Sequence, residues 1–191
     1  DHGGKALPNK GRAVKVKSMN VLFIGGNYSL ANSMPQIIQY MAAQLKPVPV
    51  NIKAAVCLQA NFTLALHLQN KHIEEALKKT KWDYVVIQEH SMMPLNDPQQ
   101  TLKNGQALGK LVKKHGATPL FFMTWARQAQ PQTSKDLLRV YSQLRDSVNG
   151  KMAPVGIAWS RMLKKKFPAL YLKDGAHPTP HGTYLAAAVI L

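Results

Sequence analysis

Four apolar residues, Val21-Leu22-Phe23-Ile24, run into Gly25-Gly26, and the chain then turns polar at Asn27-Tyr28-Ser29. A short unbroken apolar run that stops at glycine predicts a strand buried on both faces. From Pro35 to Leu45 the spacing changes. Ile37, Ile38, Met41 and Leu45 fall on one side of a helix. "VNIKAAVCL" (50–58) reads as a second strand. "TLALHLQNKHIEEALKKT" (63–80) reads as one helix, with lysines gathered at the end where the helix dipole favours cations. "WDYVVIQEH" (82–90) is a third strand, 98–115 an amphipathic helix, and "ATPLFFMTW" (117–125) a fourth strand. Ser134 then opens a helix as its N-cap. "MAPVGIAW" supplies a short strand or loop, "RMLKKKF" a helix, and "YLKDGAHPTPHGTYLAAAVIL" a loop and a closing helix.

Strand and helix alternate along the chain, which predicts an α/β sandwich: a parallel sheet with helices on both faces. In such folds chemistry collects at the carboxyl ends of the strands. Those ends are Gly26-Asn27, Gln59 to Asn61, Gln88 to Ser91, Thr124 to Arg127 and Asp174 to His177. The 191 residues suit one domain, read here as 19–191, with residues 1–18 as a basic, glycine-containing tail or linker.

Composition adds one strong feature. There are 25 Lys and Arg against 9 Asp and Glu, a formal net charge of +16. Such a field favours anionic polymers, although the lysines are scattered and no nucleic-acid motif accompanies them. Cys57 is the one cysteine. An internal disulfide and a cysteine metal site are therefore excluded, and "AAVCLQA" reads as a small apolar residue against a core. No stretch is long and apolar enough to span a membrane. The chain begins at Asp1 without an apolar leader, as a mature chain after signal removal or a piece of a longer one would. Secreted, periplasmic and cytoplasmic settings all stay open.

Asp174-Gly175-Ala176-His177 is the motif with the clearest chemistry. An Asp three residues before a His, in a tight turn, can hold one imidazole nitrogen and leave the other as a base. His67 and His72 are five apart on a predicted helix, a poor spacing for shared metal ligation. They read as surface or packing residues, as does His181. Trp82 and Trp159 read as core, whereas Trp125 and Arg127 should reach the rim of a pocket.

"LFIGGNYSLANSMP", "TLALHL", "KWDYVVIQEHS", "FFMTWARQ", "APVGIAW" and "DGAHPTPHGTYLAAAV" follow one another in the order of the blocks of SGNH/GDSL hydrolases. The chain resembles the bacterial branch whose first block reads Gly-Asn-Ser-Tyr/Phe-Thr and whose last reads Asp-Gly-x-His-Pro. The resemblance spans about residues 20–191. It implies a flavodoxin-like three-layer α/β/α sandwich that hydrolyses esters, carbohydrate esters among them, without metal or cofactor. Asp174 and His177 match the family's acid and base. The position of its nucleophilic serine is Asn27. Its second-block oxyanion donor falls near Ala60-Asn61, Gly26 is a further oxyanion or substrate candidate, and its third-block donor falls within Gln88-Glu89-His90. Similar proteins usually carry Gln-Glu-Gln there, so His90 is a second departure.

A carboxamide is not a useful nucleophile, and loss of a triad serine removes about a million-fold of rate. The resemblance therefore implies hydrolase ancestry with catalysis impaired or lost. Two active alternatives stay open, with Ser29 as a shifted nucleophile or a water activated directly by His177. A third reading is a binder of anionic polymer or nucleic acid through the basic surface.

Overall fold

The computed structural model describes residues 16–165 and 168–191. Its centre is a five-stranded parallel sheet: β1 (Lys17–Gly25), β2 (Val50–Leu58), β3 (Tyr84–Ile87), β4 (Thr118–Phe122) and β5 (Lys151–Ala153). The spatial order is β2-β1-β3-β4-β5, with every pairing parallel. β1 begins two residues inside the segment read as a tail. The first fifteen residues of that segment, and residues 166–167 of "RMLKKKF", lie outside the described residues.

Side chains alternate across the sheet with period two, and each set meets its own helices. Leu22, Ile24, Val85, Ile87 and Phe121 point to one core. It is covered by α3 (Leu64–Gln69), α4 (Lys71–Lys79), α6 (Pro98–Lys114) and α7 (Ser134–Ser147). Val21, Phe23, Val86 and Phe122 point to the other, covered by α2 (Met34–Ala43), α8 (Val155–Leu163) and α9 (Pro180–Ile190). Both faces are covered by helices, which is why the central strands read as continuous apolar runs. Two single-turn helices, α1 (Asn27–Leu30) and α5 (Met93–Asn96), follow β1 and β3 at their carboxyl ends. No helix among the described residues is long and apolar enough to cross a membrane.

Three element readings need correction. The 63–80 helix is two helices. Thr63 caps α3 through Leu66 N–H at 3.3 Å, and Asn70, with extended φ/ψ, breaks the run and caps α4 through His72 N–H at 3.0 Å. Ser134 is not an N-cap: it lies inside α7, its hydroxyl 3.2 Å from the Ser160 hydroxyl, and the preceding Thr133 makes no capping bond. In "MAPVGIAW" the strand ends at Ala153, and Val155 to Trp159 are helical because Pro154 starts α8 immediately.

The strand order reverses between β1 and β3, where connections leave to opposite faces. Such a switch point leaves a crevice at the carboxyl ends of the strands. The residues following β1 and β3, Gly26-Asn27 and Gln88 to Ser91, flank that crevice.

Candidate active site

Gln88 fixes the turn that leaves β1. It is 1% exposed, and its Oε1 accepts from Gly26 N–H at 3.1 Å, Ser29 N–H at 3.0 Å and the Ser29 hydroxyl at 2.9 Å. Its Nε2 donates to the Glu89 carbonyl at 2.8 Å. A Cβ on Gly25 would stand 2.9 Å from the Gln88 Cβ, so glycine there is a condition of this approach. Ser29 is 1% exposed, spends its hydroxyl on Gln88 and is absent from the cavity lining, so the geometry speaks against it as a shifted nucleophile. The Gly26 N–H is occupied in the same way and is not a free donor for an oxyanion, whereas Gln88, which lines the cavity, commits only one of its two amide N–H groups, to the Glu89 carbonyl.

Asn27 does face the crevice. It lines a cavity of about 140 Å³ together with Asn61, His90, Ser91, Arg127 and His177. Its carboxamide is paired reciprocally across the opening: Oδ1 accepts from the Asn61 backbone N–H at 2.9 Å, and Nδ2 donates to Asn61 Oδ1 at 3.1 Å. Asn61 adopts a left-handed backbone, φ 61°, a conformation that asparagine tolerates better than most residues. Ala60, its neighbour, is exposed and outside the cavity lining.

The opposite wall is the loop before α9. Asp174 Oδ2 accepts from His177 Nδ1 at 2.6 Å, while Oδ1 accepts from the backbone N–H groups of Ala176 at 2.9 Å and His177 at 3.0 Å. These bonds, the Ala176 N–H foremost and the His177 ring next, hold the Asp174 carboxyl at a pKa of about 2. His177 thus carries its proton on Nδ1, and Nε2 has no protein partner among the described residues. Gly175, at φ +66°, makes the turn, and its carbonyl accepts from Gln128 N–H at 2.8 Å.

No family model matches the chain, and no curated protein matches it in sequence. Solved structures do match. A provisionally assigned SGNH hydrolase from Slackia heliotrinireducens superposes with a TM-score of 0.72 at 26% identity, over 91% of this chain and 97% of its own. TesA gives a TM-score of 0.71 at 17% identity, over 90% and 95%. A catalytic mutant of Axe2, an acetylxylan esterase from Geobacillus stearothermophilus, gives 0.71 at 16% identity, over 92% and 94%. The chain has the SGNH hydrolase fold.

Within this SGNH fold the crevice is supported by stacked aromatic rings. Tyr28 stacks on Trp125 with centroids 4.3 Å apart, and Trp125 stacks on Trp159 at 3.9 Å. Trp125 is therefore core, 2% exposed, and not the rim contact expected from sequence. Its Nε1 donates to the Ala176 carbonyl at 2.9 Å, so its part in the site is to brace the Asp174–His177 loop. The Tyr28 ring meets His177 edge-on at 5.8 Å. Burial raises the Tyr28 pKa, with nearby Ser91 and Arg127 opposing the rise. Arg127 is exposed and lines the cavity, as expected. His90 lines it too. Its Nδ1 accepts a long bond, 3.4 Å, from Met92 N–H, which leaves Nε2 as the protonated nitrogen. Burial first, and the Arg127 charge second, lower the His90 pKa.

Several neighbours of the site were not singled out in the sequence. Tyr28 and Phe62 line the cavity, each next to an asparagine at a strand end, which was the available signal. Glu89 is 1% exposed. Its Oε1 accepts from Leu64 N–H at 3.0 Å and His90 N–H at 2.7 Å, joining α3 to the cavity wall, and burial raises its pKa. His67 is buried and donates Nε2–H to the Gly25 carbonyl at 2.9 Å, and burial lowers its pKa. His72 pairs with Glu75 on the surface, and His181 is exposed in the first turn of α9. Among the described residues no group of three or more His, Cys, Asp or Glu is disposed to hold a metal ion.

Proposed function

We propose that this SGNH-fold chain binds an acylated small molecule or glycan ester in the cavity beside His177 and does not turn it over through an acyl-enzyme. The Asn27–Asn61 pair carries the reading. A serine route needs a hydroxyl that attacks the acyl carbon, a base that takes its proton, and an N–H that receives the developing oxyanion. Asp174 and His177 provide the base. At Asn27 the nitrogen lone pair is delocalised into the amide, so no nucleophile stands there. Asn27 Oδ1 also occupies the Asn61 N–H, the backbone donor at the position the family resemblance assigns to the oxyanion hole. One substitution thus removes the nucleophile and fills the place of the charge it would generate. The acetylxylan esterase among the structural neighbours makes a sugar O-acetyl group a natural first chemistry to test.

A second reading rests on the unpartnered His177 Nε2. With Nδ1 held by Asp174, that nitrogen can take a proton from water in the cavity, and the water can attack a reactive ester directly. Such catalysis would be slow and wholly dependent on His177.

Asn27→Ser tests both readings with 4-nitrophenyl acetate. The natural protein should give at most a small excess over buffer, and the excess, where present, should vanish in His177→Ala. Asn27→Ser should raise the rate by about a thousand-fold or more, and adding His177→Ala should abolish the gain. A natural protein turning over at about 10 per second, an ordinary enzyme rate, would overturn the proposal. So would an Asn27→Ser variant that folds but gains nothing.

A further inference from the structure

Arg127 lines two adjoining cavities. One is the 140 Å³ space containing His177; the other is a more open groove of about 470 Å³, walled by Met92, the 127–130 segment and the Lys173 to Gly175 turn. The charged side chains lining the two are Arg127, Lys173 and Asp174, with His90 and His177 as the titratable rings. Asp174 is ionised and its oxygens are turned to the Ala176 and His177 N–H groups and the His177 ring, so the lining carries two cations against one carboxylate that is already hydrogen-bonded. Arg127 and Lys173 have no ion-pair partner among the described residues, whereas Arg139 and Arg145 are each paired with an aspartate. The rest of the lining mixes uncharged polar groups, among them Gln128, Gln130, Ser91 and the Asn27–Asn61 pair, with the apolar surfaces of Phe62, Met92 and Ala129.

A guanidinium facing two cavities without a counter-ion is suited to a planar or tetrahedral oxyanion, which its N–H fork can hold through two parallel bonds. Its field already bears on the cavity, acting on both His90 and Tyr28. We infer that Arg127, with Lys173 behind it, forms an anion subsite, and that the ligand is an acidic sugar whose carboxylate, sulfate or phosphate lies next to the acyl group presented to His177. This rests on the proposed reading of the cavity as an acyl-ligand site. It also makes the local chemistry distinct from the general positive surface: the subsite selects one substituent at one position, whereas a net charge of +16 attracts any polyanion.

The test is calorimetric titration of the natural protein at physiological salt with galactose, digalacturonate, galactose 6-sulfate and galactose 6-phosphate. At least one charged sugar should bind tenfold or more tightly than galactose, and which one does identifies the oxyanion. Arg127→Gln should lose that preference, and Arg127→Lys should recover only part of it. Lys78→Gln/Lys79→Gln, on the far end of α4, should keep it. Equal binding of galactose and all three charged sugars, or no binding of any, overturns the subsite. Charged-sugar binding that survives Arg127→Gln and falls in the α4 variant overturns it in favour of the general surface. Ester turnover by Asn27→Ser without any anion preference overturns the subsite and leaves the acyl-cavity reading standing. Arg127-dependent binding without that turnover does the reverse.

Discussion

The Asn27 carboxamide faces the cavity opposite His177, with both its oxygen and its nitrogen bonded to Asn61. Asp174 across the cavity retains what a base pair requires, and its acidity can be read in solution. An aspartyl group of the unfolded chain titrates near 3.8, and Asp174 in the fold at about 2. Between those values the unfolded state binds more protons, so stability rises with pH. The contribution is complete above the unfolded value and lost as pH falls through the folded one. Asp174→Asn should therefore melt lower than the natural protein at pH 7, with the difference shrinking as pH drops from 3.8 towards 2. Thermal scans across that range check this, and an unchanged difference would contradict it. Both residues were legible in the sequence, because an Asp-x-x-His turn and an asparagine after a glycine-ended strand are local patterns. Arg127 was legible as a rim residue. Trp125 was misplaced, since nothing local says that an indole at a strand end will be sandwiched between two other rings.

The element that organises the site is the segment after β3. Gln88 supplies one oxygen to three donors of the β1–α1 turn and closes that turn from 59 to 62 residues away. Replacing it with Leu strands the Gly26 and Ser29 N–H groups in a buried setting, each costing about 1–3 kcal/mol. Gln88→Leu should lose about 2–4 kcal/mol in urea unfolding. A loss below about half a kcal/mol would mean that water or a rearranged turn takes over these bonds. This clamp could not be read from the sequence, because only the tertiary register brings the Gln88 side-chain oxygen, at the cavity wall, onto the β1–α1 turn. Element boundaries failed for related reasons. The apolar stripe of 63–80 continues through Asn70, so periodicity alone misses a break made by a side chain capping the following helix. At 155–159 the short apolar run does not distinguish strand from helix, and the proline before it decides the matter.

At the scale of the molecule the architecture was the most legible part. Alternating strands and helices leave few topologies, and the buried character of β1, β3 and β4 requires cover on both faces. The net charge of +16 was equally visible, and it predicts a behaviour separate from the cavity. Double-stranded DNA should bind weakly at low salt and release steeply as salt rises, because the attraction is counter-ion release from phosphates. Fluorescence anisotropy from 50 to 300 mM salt should show a strong loss of affinity, the same for natural protein and Arg127→Gln. Binding that ignores salt would point to specific recognition by the surface.

The Tyr28–Trp125–Trp159 stack has an optical consequence. Two indoles 3.9 Å apart and within 8° of parallel couple their excited states, and a phenol layered on the outer face extends the coupling. The near-ultraviolet circular dichroism of the folded protein should therefore be dominated by this one column. Because Trp125 Nε1 holds the Ala176 carbonyl and Tyr28 meets the His177 ring, the chromophore is wired to the loop that carries His177. A ligand that shifts that loop would announce itself in the native spectrum, with no label attached and no product formed.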